Sequence, residues 1–346
     1  VITQPARPTQ HAPSVRPAAL LAMSGGLDAE LFTPEQRRRL GELVALLAEP
    51  PVQDLSTVPD GTAARVEILV TGWGAPRIDA SVLERMPRLR AIVHAAGTVA
   101  PFVGRAVWDR EDIVVSTAAQ ANAVPVAEYA LAQILLAGKR SVTRSADYRR
   151  ARGREGAWTA TGQTGNYGAV VGLIGASRTG RLTARHLQSF DIEVLVHDPF
   201  AGVEEIAALG ARKVDLEEIF RASDVVSLHA PDVPSTRGMV TAGHLALMRE
   251  GTTFLNTARP ALVDEDALRT ELVSGRISAV LDVHDGLTPE DPLWDLPNVQ
   301  LTPHIAGSQG NELNRLAESV LEELGRLSRG EMPRHALDRS RLDITA

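Results

Sequence analysis

The stretch Gly172-Leu173-Ile174-Gly175-Ala176-Ser177-Arg178-Thr179-Gly180 has the spacing of a phosphate-cradling turn, with serine where the G-x-G-x-x-G pattern carries its middle glycine. Glycines in such a turn let the backbone approach a pyrophosphate, and the N–H groups that open the following helix face the anion with the helix dipole behind them. Ser177 adds a small side chain at the closest approach, and its hydroxyl can itself donate to a phosphate. Arg178 is suited to holding the same group. Asp198 stands 23 residues after Gly175, where an acidic residue takes the hydroxyls of an adenosine ribose. Its charge repels a 2′-phosphate, which favours NAD over NADP. The plainer alternative is a tight strand–helix turn that packs and binds nothing; Asp198 at this spacing weighs for the nucleotide.

Other chemistries fall away. The chain has no cysteine, which excludes disulfides, cysteine-ligated zinc, iron–sulfur clusters and a thiol nucleophile. No group of histidines and carboxylates has metal-ligand spacing, so no metal is expected. A net charge of −7 argues against nucleic-acid binding, which needs a basic stripe. The apolar run 126–138 is interrupted by Glu128 and Gln133 and is shorter than the roughly 20 residues of a membrane span, so no membrane partner and a cytoplasmic location are expected. Residues 1–16 carry three prolines and no apolar run; they read as a flexible arm without the apolar core of a signal peptide. With 44% hydrophobic and 23% charged residues, the remainder reads as ordinary globular protein, and 346 residues suggest two domains.

The elements that must position the turn repeat as strand, helix, strand. Short apolar runs at 18–23, 66–70, 89–93 and 113–115 alternate with helical spacing. Thr33-Pro34-Glu35-Gln36 is a capping box with proline at the first helical position, followed by Leu40, Leu43, Val44 and Leu47. Asp79 caps a second short helix. A long helical segment from 124 to 150 leads into a connector, 151–168, with five glycines. The strand pattern then resumes at 169–174, 192–196, weakly near Val214, and at 225–228, 252–255, 277–281 and 299–301, matching a doubly wound dinucleotide-binding sheet. A last helix, 310–327, presents Leu313, Leu316, Val320, Leu321, Leu324 and Leu327 as one stripe and stops at Gly330. The tail after it is too short for a domain and must pack on one already built.

Several blocks, in order, resemble the D-isomer-specific 2-hydroxyacid dehydrogenase family, from about Leu89 to Arg329. They are Asn122-Ala123-Val124-Pro125-Val126-Ala127-Glu128, Val196-His197-Asp198-Pro199 and Ser227-Leu228-His229-Ala230-Pro231. Asn256-Thr257-Ala258-Arg259 and Leu301-Thr302-Pro303-His304-Ile305-Ala306-Gly307 complete the set. The resemblance implies an α/β protein in which a Rossmann-type doubly wound parallel sheet, residues 123–307, is inserted in a smaller flavodoxin-like substrate domain, 17–122 plus 308–346. It implies an NAD-dependent enzyme, a homodimer, acting on a small 2-keto or 2-hydroxy acid. Arg259 matches the substrate-orienting arginine and His304 the general acid/base, an imidazole whose reference pKa lies near neutrality. Asp282 matches the carboxylate beside the nicotinamide, and Pro231, Thr236, Thr257 and Gly307 fall among the cofactor loops. Backbone amides at Ala96 and Gly97 match the loop that receives the substrate carboxylate.

One position departs from the family. A glutamate normally stands five residues after the aspartate at Asp282 and pairs with the histidine; here Leu287 stands there, and the segment 282–293 is about two residues shorter. Asp285 and Glu290 are the candidate replacements; a histidine without a carboxylate partner is less basic and less firmly oriented, so an active enzyme with altered pH dependence, or a weak one, is expected. The alternative is a non-catalytic NAD(H)-binding regulator on the same fold. Bland readings stand beside each site: a buried arginine for Arg259, a strand-closing histidine for His304. His186 and His335 are read as structural and His229 as shaping the cofactor loop. His94 is read as a candidate pocket wall, and His284 is left open. The run Arg144, Arg149, Arg150, Arg152 and Arg154 is read as a solvated helix face or subunit contact.

Overall fold

The computed structural model describes residues 16–153 and 164–341 of the chain. The expected arm 1–16, apart from its last residue, lies outside the described residues, as do Arg154 and most of the expected connector. Two compact units emerge, one running to Ala119 and resuming over Leu313–Arg339, the other spanning Gln120–Glu312. The division falls a few residues before and after the limits expected from sequence.

In the first unit, β1 (Ala18–Ala22), β2 (Ala45–Leu46), β3 (Ile68–Thr71), β4 (Ala91–His94) and β5 (Val114–Thr117) form a sheet of order β2-β1-β3-β4-β5. Every pairing is parallel. That is the flavodoxin-like order. Strands β3 and β4 are buried along their whole length, as parallel strands covered on both faces must be. The capping box forms as read: the Thr33 hydroxyl accepts from Gln36 N at 3.2 Å and Gln36 Oε1 accepts from Thr33 N at 3.1 Å. The helix it opens, Pro34–Leu43, stops earlier than the apolar spacing suggested. Val44 turns extended, and β2 attaches instead to β1, with Ala45 N donating to Pro17 O and Leu47 N to Ala19 O, both at 2.9 Å. The sheet edge outcompetes another helical turn.

The C-terminal helix, Leu313–Ser328, belongs to this unit and buries all six residues of its expected stripe. It packs on the helix Pro34–Leu43, where Arg39 grips Glu318 with both guanidinium nitrogens at 2.7 and 2.8 Å. The segment after it lies antiparallel on β5, Leu337 N donating to Val115 O at 2.8 Å.

The second unit holds β6 (Ala169–Ile174), β7 (Ile192–His197), β8 (Arg212–Lys213), β9 (Val225–Leu228), β10 (Thr253–Asn256), β11 (Ser278–Leu281) and β12 (Val299–Leu301). Their order is β12-β11-β10-β9-β6-β7-β8, again parallel throughout. The strand order reverses at β6 and β9, a switch point of the kind where dinucleotides bind beyond the carboxyl ends of strands. Phe220 and Phe254 anchor the core on one face; Ile134, Ala184 and Leu187 pack on the other. The expected single helix 124–150 is two, Ala119–Gly138 and Ser141–Ala151, because Arg140 adopts a left-handed backbone with φ 51° and ends the first. The second has no buried residue.

Candidate active site

At the end of β6 the glycines are required by space. Gly175 has φ 102°, and a Cβ there would lie 2.7 Å from Ala230 N and 2.9 Å from the carbonyl carbon of His229, backbone that cannot swing aside. A Cβ on Gly180 would sit 2.1 Å from Gly175 O. Ser177 is the N-cap of the helix Arg178–Leu187, its Oγ accepting from Gly180 N at 3.3 Å. A hydroxyl that caps by accepting keeps its proton to donate. Thr179 follows in the first turn, its carbonyl taken by the Thr183 hydroxyl at 3.0 Å.

Asp198, partly exposed just beyond β7, accepts from Ala176 N at 2.7 Å, Phe200 N at 2.8 Å and Ala201 N at 2.9 Å. It fastens the glycine turn to its neighbouring strand and keeps acceptor capacity on its open side. In the loop after β9, the Thr236 hydroxyl donates to Pro231 O at 2.5 Å and accepts from Val233 N at 3.1 Å, fixing the loop's shape. Thr257, just past β10, is 9% exposed, and its hydroxyl has no partner among the described residues. A cradle that any Cβ would fill, with an orphaned buried hydroxyl at a nearby strand end, fits a dinucleotide. Gly307 is under less constraint: a Cβ would meet only the Asn122 side chain at 3.4 Å.

A cavity of about 330 Å³ opens beyond β10, β11 and β12, with Asp232, Arg259, Asp282, His284, Asp285 and His304 among its walls. Asn256 shapes the turn that presents Arg259: its Oδ1 accepts from Ala258 N at 2.9 Å and its Nδ2 donates to Arg259 O at 3.1 Å. The guanidinium donates to Ala258 O at 2.6 Å and forms no ion pair among the described residues. An uncompensated planar cation at a cavity wall can take two oxygens of a carboxylate at once.

His304 stands on the cavity with a left-handed backbone, φ 57°, a conformation that a bulky side chain adopts only when the surroundings enforce it. The enforcement is visible. Its N–H donates to Asp282 O and Thr302 O, each at 3.0 Å. The Asp282 carboxylate accepts from the Thr302 hydroxyl at 2.6 Å and from Ile305 N and Ala306 N at 2.8 Å. Asp282, 1% exposed, is therefore the anchor of the histidine loop, whichever ligand lies beside it.

The carboxylates considered as partners for His304 separate clearly. Leu287 packs against the core among Val263, Leu268 and Leu293. Glu290 is exposed and is not part of the cavity wall, whereas Asp285 is. His284, left open by the sequence, lines the cavity and meets Trp294 edge-on with ring centres 6.2 Å apart. Asp232 escaped the sequence reading; it pairs with Arg237 at 2.8 Å, and no pattern signalled it.

Ala96 and Gly97 belong to the other unit, in the turn after β4. His94, beside them, is a core histidine: it hydrogen-bonds Thr71 Oγ1 at 2.9 Å and packs on Phe102, and burial pushes its pKa down to about 4. His229 is likewise driven to about 4 by burial and shares a 2.9 Å hydrogen bond with Ser227. Among the described residues no cluster could hold a metal ion, and no helix is long and apolar enough to cross a membrane.

Residues 135–306 match the family model for the NAD binding domain of D-isomer specific 2-hydroxyacid dehydrogenases. The chain is 31% identical over 312 residues to a D-3-phosphoglycerate dehydrogenase of Mycobacterium bovis, a match covering 88% of this chain and 57% of that protein. It thus spans little more than half the length of the first curated relatives it matches. It is 34% identical over 262 residues to a glyoxylate reductase of Korarchaeum cryptofilum, covering 74% of this chain and 78% of the relative. A crystal structure of a phosphoglycerate oxidoreductase from Rhizobium etli superposes with a TM-score of 0.77 at 26% identity, covering 93% of this chain and 98% of the other. Likeness at this level, over so much of both chains, makes this protein a member of the D-isomer specific 2-hydroxyacid dehydrogenase family.

Proposed function

We propose that the chain is an NAD-dependent oxidoreductase interconverting a D-2-hydroxy acid and its 2-keto acid. The observation that carries this reading is one cavity lined by a guanidinium, Arg259, without an ion-pair partner among the described residues, and a conformationally enforced imidazole, His304, in a unit whose β6 ends in a dinucleotide-type cradle. Gly175, Ser177, Arg178, Thr179 and Gly180 hold the pyrophosphate and Asp198 the ribose. Pro231, Thr236, Thr257, Asp282 and Gly307 shape the remaining cofactor surface. Bound NAD(H) supplies or accepts the hydride.

In the reducing direction, Arg259 grips the substrate carboxylate and polarises the neighbouring carbonyl. His304, protonated, donates its proton to the carbonyl oxygen as C2 becomes the carbinol carbon; in oxidation the neutral ring takes that proton back. Asp282 acts through the 302–306 loop, keeping the ring where it can do so. Relatives carrying the names of a phosphoglycerate and a glyoxylate enzyme support a small 2-keto acid as the substrate class.

A homodimer and a cytoplasmic location belong to the same reading. The homodimer is supported by the helix Ser141–Ala151, none of whose residues is fully buried within its own unit, and by the exposed Leu136 and Tyr148. The test is nicotinamide absorbance over a panel of small 2-keto acids. Turnover is expected. His304→Gln is expected to lower kcat by about 10²–10⁴-fold, and Arg259→Lys to act mainly on KM. Tight NADH binding without turnover on any acid would replace this reading with a non-catalytic NAD(H)-responsive regulator.

A further inference from the structure

The family glutamate position holds a leucine that faces the core, so His304 draws its carboxylate from elsewhere or works without one. We infer that Asp285 is the positioning residue of His304, its carboxylate turning across the shared cavity to accept a hydrogen bond from the ring nitrogen that does not face substrate. This rests on the oxidoreductase reading above.

The choice follows from what each carboxylate at the cavity already does. Asp232 is held by Arg237 at 2.8 Å. Both oxygens of Asp282 are occupied by Thr302, Ile305 and Ala306. The Asp285 carboxylate has no hydrogen bond and no ion pair among the described residues, yet it lines the same cavity as His304. Its main chain is tethered, Asp285 N donating to Glu265 Oε1 at 3.4 Å, and Gly286 follows with φ 68°. The segment beyond is pinned: Leu287 packs against the core, Trp294 Nε1 donates to Thr288 O at 2.9 Å, and Asp291 pairs with Arg269 at 2.6 Å. Those attachments keep Glu290 off the cavity wall, whereas Asp285, likewise exposed, lines it. The shortened segment thus leaves one unengaged carboxylate where the histidine is.

The charged and titratable groups facing His304 across the cavity are Arg259, Asp232, Asp282, His284 and Asp285. Of these, Asp232 and Asp282 are already engaged, and Arg259 and His284 offer no carboxylate. Asp285 is the group whose removal tips this balance against the protonated ring. Reduction needs that protonated ring, so its high-pH limb is the sensitive readout.

The experiment measures kcat/KM for reduction against pH in the full-length wild-type protein and in Asp285→Asn, Asp285→Glu and Glu290→Gln, with NADH binding as a control. In Asp285→Asn the high-pH limb is expected to move down by about one pH unit, roughly a tenfold loss on the alkaline side. Asp285→Glu is expected to restore most of it, and NADH affinity to hold in every variant. A wild-type protein that turns over no 2-keto acid defeats the oxidoreductase reading itself. A wild-type protein that turns over while Asp285→Asn keeps the wild-type profile overturns this inference alone. So does the same shift appearing in Glu290→Gln instead.

Discussion

Two aspartates stand at corresponding places in the same sheet, Asp198 beyond β7 and Asp282 beyond β11, and each accepts three hydrogen bonds from its surroundings. Both were expected to meet the cofactor. They differ in burial. Asp198 is partly exposed, and the turn it ties is also fixed by steric necessity at Gly175 and Gly180. Asp282 is 1% exposed and holds a loop containing a histidine at positive φ, with no comparable steric lock. A carboxylate at a strand end can therefore face a ligand or replace one. Where backbone contact already sets the geometry, the carboxylate is left over for binding; where it does not, the carboxylate is consumed in building the loop.

The largest effect should follow from removing the consumed one. Asp282→Ala strands the Thr302 hydroxyl and two backbone N–H groups without their charged acceptor. Hydrogen bonds to charged groups contribute about 1.5–3 kcal/mol each and do not add fully, so a loss of about 3–5 kcal/mol is expected in urea unfolding. Turnover should fall roughly a hundredfold even under conditions where the variant stays folded, because a small displacement of His304 is enough. Asp282→Asn, which keeps volume and one acceptor, should fall between. A wild-type unfolding midpoint in Asp282→Ala would show that the loop is held by something else, and the contrast between the two aspartates would collapse.

Acid sharpens the comparison from the glycine side. His229 lies behind the turn: a Cβ on Gly180 would meet the His229 Cβ at 3.4 Å. Its folded pKa of about 4 lies below the 6.5 of an exposed imidazole because burial disfavours the cation. Below 6.5 the unfolded chain binds a proton that the fold refuses. Stability is therefore complete above that pH and drains as pH falls toward 4, by about 3 kcal/mol at pH 4 for this residue. His94 adds a similar increment in the other unit. His229→Gln should flatten the drop between pH 7 and pH 4 by about that amount. An unchanged slope would mean that the ring is protonated within the fold, and the wall behind the turn would be softer than its packing implies.

These contrasts also mark what the sequence could reveal. The turn was legible because its constraint falls on residue type: a backbone that must pass within van der Waals distance of Ala230 admits glycine and little else, and the pattern records it. Most strands of both sheets were legible because parallel strands need short continuous apolar runs; β2 was read as helix and β8 only as a weak run near Val214. Misread features depend on non-local competition. Residues 44–47 continue a helical stripe, yet the open edge of β1 captures Ala45–Leu46. The long helix breaks at Arg140, a residue with no breaker signature. At the site, the family resemblance pointed to Arg259, Asp282 and His304 but said nothing of where carboxylate oxygens point. It could not show that Asp282 is spent on its own loop, nor choose between Asp285 and Glu290 across a shortened segment. Asp285 is singled out instead by Leu287 packing against the core and by Asp291 being held by Arg269.

The smallest effect, and the most discriminating, concerns Asp198. Asp198→Asn keeps the side chain's shape but presents an amide donor to one of the three N–H groups that the carboxylate accepts. Rotating the amide can save the pair from Phe200 and Ala201 or the single bond from Ala176, not both sets. Because the site is open to water and the glycines hold the turn independently, stability should change by only about 1 kcal/mol. The cofactor should register more. A carboxylate that accepts from ribose hydroxyls also repels a 2′-phosphate, so its neutralisation should weaken NADH several-fold while leaving NADPH unchanged or slightly tighter. Titrating both reduced cofactors against wild type and Asp198→Asn by fluorescence gives the ratio of the two dissociation constants. A narrowed ratio at near-native stability means that Asp198 has acceptor capacity left for a ligand. If instead both affinities fall equally along with stability, Asp198 is consumed by its loop just as Asp282 is by its own, and burial is not what separates them.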